Sequence, residues 1–289
     1  MNDAPLPQPT TPAAGAPASA GAATPPITAP VDARIIAITS GKGGVGKTFL
    51  SANLAAALTR RGHRVLVLDA DLGLANLDVV LNLHPKVTLH DVFTGKAQLE
   101  NAVIKAPGGF SVLLAGSGMV EYSRLTPEVR NELYNVIQTL APRFDVVLLD
   151  TGAGISDVVL FSVSLAQEVL IVATPEPTSL TDAYAAIKVL ATQQKRQHVR
   201  LVVNQAARAG DGRAITGQLQ QVLDRFVTTD SGRSMRLIHM GDIPADTSVR
   251  EAVMRRQLLM QQMPGCPAAL AVAQLANKIE STLLKPASQ

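Results

Sequence analysis

Cysteine is almost missing from this sequence: Cys266 stands alone among 289 residues. One cysteine excludes an internal disulfide and any multi-cysteine metal site built within one chain. Tryptophan is absent and aromatic residues make up only 3%, which suits an Ala/Leu/Val-rich α/β protein. No apolar run reaches the ~18 residues of a membrane span. The N-terminal stretch has neither the basic region nor the apolar region of a secretory signal, so a cytoplasmic protein is expected. Charged residues are sparse at 17%, and the formal net charge of +3 is too small to imply a nucleic-acid partner by itself. No internal repeat and no second folded domain are visible.

What is present is apolar: 47% of the chain, enough to bury one large core. Residues 1–33 stand apart, rich in Pro, Ala, Thr and Gly, with eight of the eighteen prolines and only Asp3 and Asp32 charged. Such a stretch cannot bury a core and is expected to be a disordered, locally polyproline-like tail. Over 34–284, apolar runs alternate with helical stretches, the pattern of an α/β protein with a mainly parallel, doubly wound sheet flanked by helices. Strands are expected over 34–40, 64–68, 110–114, 144–149, 168–173, 200–203 and 236–240. Helices are expected over 49–58, 155–166, 180–194, 214–226, 248–255 and 267–284, and from a Thr126 cap to about 140, leaving 285–289 as a short tail.

Residues 34–58 organise the chain. A β-branched run ends at Ser40, Gly41-Lys42-Gly43-Gly44-Val45-Gly46-Lys47-Thr48 follows, and an Ala/Leu-rich helical run begins. Gly41, four residues, then Gly46-Lys47-Thr48 fits the phosphate-binding loop G-x-x-x-x-G-K-[ST]. Glycines let backbone N–H groups curl around a polyphosphate, and the following helix presents its positive end. Lys47 would reach the β and γ phosphates of ATP, and the Thr48 hydroxyl would complete a Mg²⁺ shell. A bare match of this length arises by chance, but here the strand before and the helix after supply the required context.

Other candidates fall at strand ends. Asp69 and Asp71 follow a buried strand, where a carboxylate would orient water or help hold Mg²⁺, although Asp is also common in strand-end turns. The apolar run over 144–149 ends in Asp150, held rigid and desolvated as a water-mediated Mg²⁺ ligand needs to be. Its plain alternative is a cap for the next helix. Gly152 and Gly154 give the following loop room to move. Asn204 closes a strand with an amide that both donates and accepts, as an adenine edge requires; a turn residue would look the same.

The two-lysine loop, with Lys42 directly after Gly41, resembles the deviant phosphate-loop ATPases of the MinD/ParA family. The resemblance covers about 34–279. The run from Asp69 to Asp78 looks like the family's switch I, and Asp150-Thr-Gly-Ala-Gly154 like a Walker B strand entering switch II. It implies catalytic roles for Lys42, Lys47 and Asp71, with Lys42 reaching across a dimer to the partner's nucleotide. It implies nucleotide contacts from the whole loop (Gly41, Lys42, Gly43, Gly44, Val45, Gly46, Lys47 and Thr48). Asn204 would contact the base, with backbone around Pro244 and Asp246 packing on the adenine. Thr48, Asp69 and Asp150 would serve Mg²⁺. Relatives with iron–sulfur clusters use several cysteines, which this chain lacks.

Three segments, over 150–155, 174–184 and 249–253, look more like the flagellar-number branch (FlhG/FleN type) than MinD itself. That branch implies a slow regulatory ATPase, making ADP and phosphate, that dimerises when ATP-bound. Its implied partners are a signal-recognition-type GTPase (FlhF-like) and a flagellar transcriptional activator. Asp182 sits where relatives make partner or activator contacts, and its plain alternative is a helix N-terminal acid. The tail carries no Asp-Gln-Ala motif of the kind that stimulates the GTPase. The rival readings are a MinD-like division-site ATPase and a ParA-like DNA-segregation ATPase. The first needs a membrane anchor. No separate one is visible, so contact at the inner face of the membrane or the pole would fall to the last helix, expected to pack through Leu270, Ala273, Ile279 and Leu283. The second needs a surface for nonspecific DNA, for which Arg208, Arg213, Arg225, Arg233 and Arg236 are the candidates.

Overall fold

The computed structural model describes residues 33–73, 76–116, 124–208, 210–227, 232 and 234–284. Apart from Ala33, the expected N-terminal tail lies outside the described residues, as do 285–289 and Arg233. Strands β1 (Arg34–Ser40), β2 (Val65–Ala70), β3 (Val103–Lys105), β4 (Ser111–Leu113), β5 (Val146–Ala153), β6 (Glu168–Ala173), β7 (His198–Ala206) and β8 (Arg236–Pro244) form one sheet. Their spatial order is β3-β4-β2-β5-β1-β6-β7-β8. Every pairing is parallel except the edge pair β3–β4. The chain leaves β1 for β2 on one side and later reaches β6 on the other. The carboxyl end of β1 is therefore a switch point, where open α/β sheets bind ligands.

Helices cover both faces, which is why the central strands read as continuous apolar runs. In β1, Ile35 and Ala37 pack with α5 (Pro127–Leu140), α6 (Asp157–Ser164), α7 (Pro177–Gln193) and α8 (Asp211–Phe226). Ile36 and Ile38 point the other way, into the core of α1 (Lys47–Arg60), α10 (Leu259–Gln262) and α11 (Pro267–Leu283). Side chains alternate across a strand, so one short run serves two cores. Ile38 is fully buried, and truncating it to Ala would cost about 2–5 kcal/mol. Local signals set the helix starts. Pro127 occupies the first turn of α5 behind Thr126, whose Oγ1 accepts from Val129 N at 3.4 Å. Ser156 caps α6 in the same way.

The short elements escaped the sequence reading: β3, α2 (Leu77–Leu81), α3 (Leu89–Phe93), α4 (Leu99–Ala102) and α10 have five residues or fewer. None is long enough to show a period. Strands β7 and β8 outrun expectation, reaching Ala206 and Pro244 through register shifts. At the second of these, between Asn204 and Ala206, Gln205 adopts a left-handed φ of 58°. Leu270, expected in the core, is 52% exposed, whereas Ile279 and Leu283 are buried. The remaining helix is α9 (Thr247–Met254).

Candidate functional site

The loop joining β1 to α1 is shaped by its glycines. Gly44 and Gly46 take left-handed φ values of 77° and 97°, which glycine adopts without steric cost. A Cβ on Gly46 would lie 2.4 Å from Asn204 Nδ2, and one on Gly41 would lie 2.1 Å from the Asp182 backbone in α7. The loop is thus wedged between the end of β7 and the first turns of α7, with Val45 buried and Gly43 and Gly44 exposed. Helix α1 has no side-chain cap and no acid in its first turn. Its leading N–H groups and positive dipole end are left to whatever anion the loop encloses.

Lys47, Thr48 and Asp150 meet at the base of the loop. Lys47 is buried, which lowers its pKa against the opposing pull of Asp150 and Asp71. Asp150 Oδ1 accepts from Ser51 Oγ at 2.9 Å, and the Thr48 hydroxyl also bonds this carboxyl. Burial pushes the Asp150 pKa up to about 6, partly offset by those hydroxyls and by the Lys47 charge. An apolar strand delivers Asp150 to this spot, and its neighbours are tied down: Thr151 Oγ1 donates to Ile38 O at 3.2 Å and Gly154 N to Ser40 O at 2.8 Å. Hydroxyls, a carboxylate and an uncapped helix end fit a Mg²⁺–nucleotide, with Thr48 and Asp150 as the groups that would hold the ion.

Asp71 lines the same cavity, of about 860 Å³. Its Oδ1 would lie 3.3 Å from a Cβ on Gly152, so the segment after β2 touches the end of β5 there. Asp69 does not open into this cavity. It is 1% exposed, pairs in register with Asp150 across β2 and β5, and borders a separate cavity of about 250 Å³ with Asp78, His84 and Thr88. Burial, reinforced by the nearby Asp150 charge, raises its pKa well above the ordinary carboxylate range. Of the three residues expected at the metal, the structure brings Thr48 and Asp150 together and leaves Asp69 behind them.

The far end of the cavity is apolar, walled by Phe49, Val80, Val249 and Val253 beside Asn204, Pro244 and Asp246. Asn204 Nδ2 donates to Val45 O at 2.8 Å, which clamps the loop and fixes the amide's orientation. Asp246 caps α9 through Ser248 N at 2.9 Å and also accepts from Ala268 N at 3.1 Å, pinning two helix starts at the edge of the cavity. Of the eight loop residues expected at the nucleotide, Gly41, Lys42 and Val45 do not line the cavity. The Lys42 Nζ lies 2.9 Å from both Glu176 Oε2 and Thr178 Oγ1 at the start of α7.

A family model described as ParA, NUBPL iron-transfer P-loop NTPase, matches residues 32–280. The chain belongs to the ParA family of P-loop NTPases. It is 42% identical to the antiactivator FleN of Pseudomonas aeruginosa over 86% of each chain. It is 31% identical to the flagellum site-determining protein YlxH of Helicobacter pylori, over 86% of this chain and 83% of that one. Among solved structures, the septum site-determining protein MinD of Pyrococcus horikoshii, complexed with Mg-ADP, superposes with a TM-score of 0.70 at 29% identity. That match covers 86% of this chain and 96% of MinD.

Cys266, the lone cysteine, has its Sγ accepting from Ala269 N at 3.4 Å at the start of α11, and no group of three or more metal-binding side chains gathers among the described residues. The candidate DNA-binding arginines are dispersed: Arg213 and Arg225 sit at opposite ends of α8, about 18 Å apart at 1.5 Å per residue, among the acids Asp211 and Asp224. Helix α11 packs Val272, Leu275, Ala276, Ile279 and Leu283 into the core, so that face is not available to a membrane. No described helix is long and apolar enough to cross one.

Some contributors carried a faint signal in the sequence. Ser51 is one turn beyond Lys47, and its hydroxyl also bonds Lys47 O. Val249 and Val253 are four apart on α9. Glu176 and Thr178 carried no signal, since their role depends on where α7 docks.

Proposed function

We propose that this ParA-family protein binds Mg²⁺–ATP, hydrolyses it slowly and uses the nucleotide to switch between monomer and homodimer in control of flagellar number and placement. Loop N–H groups and Lys47 hold the phosphates, while Asn204 and the wall around Pro244 hold the adenine. Thr48 and Asp150 hold Mg²⁺, which supplies charge neutralisation for the phosphates. Asp71 orients water against the γ phosphate from beside Gly152. The observation that carries the dimer reading is Lys42: the binding set is assembled within one chain, yet this lysine is held on Glu176 and Thr178, outside the cavity. A second copy gives it a nucleotide to reach. Similarity to FleN and YlxH supports the flagellar role.

Its partners in this reading are an FlhF-like GTPase and a flagellar transcriptional activator, met through the start of α7. The Asp182 backbone packs there on Gly41, so a change in the loop is felt by α7. The protein works in the cytoplasm, with any membrane or polar contact peripheral. Deleting it should give supernumerary or misplaced flagella, and Asp71→Ala should suppress flagellar assembly by trapping the dimer. The structural likeness to MinD favours division-site control as the second reading. Normal flagellation with minicells in the deletion strain would decide for it, and normal flagellation with lost replicons would decide for DNA segregation.

A further inference from the structure

The switch loop that carries Asp71 is closed at its base by one side chain. Asp69 Oδ1 accepts from Asp71 N at 3.2 Å, and the Leu77 backbone N–H bonds the same carboxyl. Asp71 begins the loop and Leu77 opens α2, so both ends are tied to the last turn of β2's register. Leu72 and Leu77 are themselves almost wholly buried. Short side-chain carboxyls that accept backbone N–H groups two or more residues ahead are a general way of fixing a turn.

We propose that Asp69 is a positioning residue for Asp71: its carboxyl, acting as a hydrogen-bond acceptor for both ends of the loop, aims Asp71 at the γ-phosphate side of the cavity and does not ligate Mg²⁺. This rests on the hydrolytic reading above. Three observations support it. Asp69 borders the separate cavity with Asp78, His84 and Thr88, and not the one that Lys47, Thr48 and Asp71 share. Asp150, its neighbour in register, is the carboxyl that the Thr48 hydroxyl bonds. The bonds it makes demand an acceptor oxygen and no charge, so an amide reproduces them.

The test compares Asp69→Asn with Asp69→Ala in the full chain, after thermal melts establish folding. Amide hydrogen exchange in the nucleotide-free protein reads the clamp directly. Asp71 and Leu77 stay protected in the Asn variant and exchange faster in the Ala variant. In steady-state assays the Asn variant keeps turnover within about threefold, while the Ala variant loses about 10- to 100-fold in kcat, as misplacement by an ångström does. KM for ATP and the half-saturating Mg²⁺ concentration move little in either. A rise in half-saturating Mg²⁺ in the Asn variant would overturn the proposal and make Asp69 a metal ligand; so would wild-type protection of both amides in the Ala variant. If the Ala variant does not fold, the Mg²⁺ dependence of the Asn variant still decides. If the wild type shows no turnover, the hydrolytic reading fails while the exchange arm continues to test the clamp.

Discussion

Lys42 and Lys47 lie five residues apart in one loop and are held by opposite environments. Lys47 is buried at the head of α1, with Asp150 and Asp71 as its nearest charges. Lys42 is 39% exposed and rests on Glu176, itself 63% exposed. Buried groups held by the fold move only when the fold gives way, because losing one partner strands a charge. Exposed ion pairs contribute about 0–1 kcal/mol and break readily. On the proposed function, the loop combines a fixed lysine that binds and a releasable lysine that changes partners, the arrangement a two-state switch needs.

The largest effect is expected where the fold does the holding. Lys47→Ala should weaken ATP binding by at least about 100-fold, as charge-assisted phosphate bonds are lost from a desolvated site; isothermal calorimetry reads this. Asp71→Ala should bind nucleotide within about twofold of wild type yet hydrolyse it about 100-fold more slowly. Phosphate-release assays would show this, and normal turnover would remove Asp71 from the chemistry.

Smaller effects should follow where the contacts are exposed. Glu176→Ala frees Lys42 and should tighten ATP-dependent association by no more than about fivefold, the most a surface pair is worth. A larger change would mean that Glu176 does more than hold the lysine. The smallest effect should come from an ion pair with no switching role. Glu280 bonds Arg61 and His63, joining the end of α1 to α11, and these bonds lower its pKa from the ordinary 4.5, Arg61 contributing most. A depressed carboxylate pKa stabilises the fold above the ordinary value, and that stability is lost as pH falls through the native pKa. Glu280→Gln should lower stability by less than about 1 kcal/mol at neutral pH, with the difference in melting temperature vanishing in acid.

Much of this is legible in the sequence. The glycine spacing, the apolar strand into Asp150 and the cap at Thr126 are local signals, and local signals survive in sequence. Contacts that depend on distant docking were not legible. Glu176 meets Lys42 across 134 positions and Asn204 meets Val45 across 159; nothing near either residue announces this. Asp69 and Asp71 show the limit most clearly. Two acids separated by one residue looked equivalent, and strand alternation alone would put both on one face, but β2 ends at Ala70 and Asp71 belongs to the loop beyond it. One faces the nucleotide cavity and the other is buried behind it.

Sedimentation velocity of the wild type and of Lys42→Ala, each with ADP and with a nonhydrolysable ATP analogue, tests the switch most directly. The wild-type protein should be monomeric with ADP and dimeric with the analogue. Lys42→Ala should bind both nucleotides with near-wild-type affinity yet remain largely monomeric. A Lys42→Ala protein that dimerises as well as the wild type would contradict the account, leaving Lys42 a surface residue and the loop a nucleotide site with no switch.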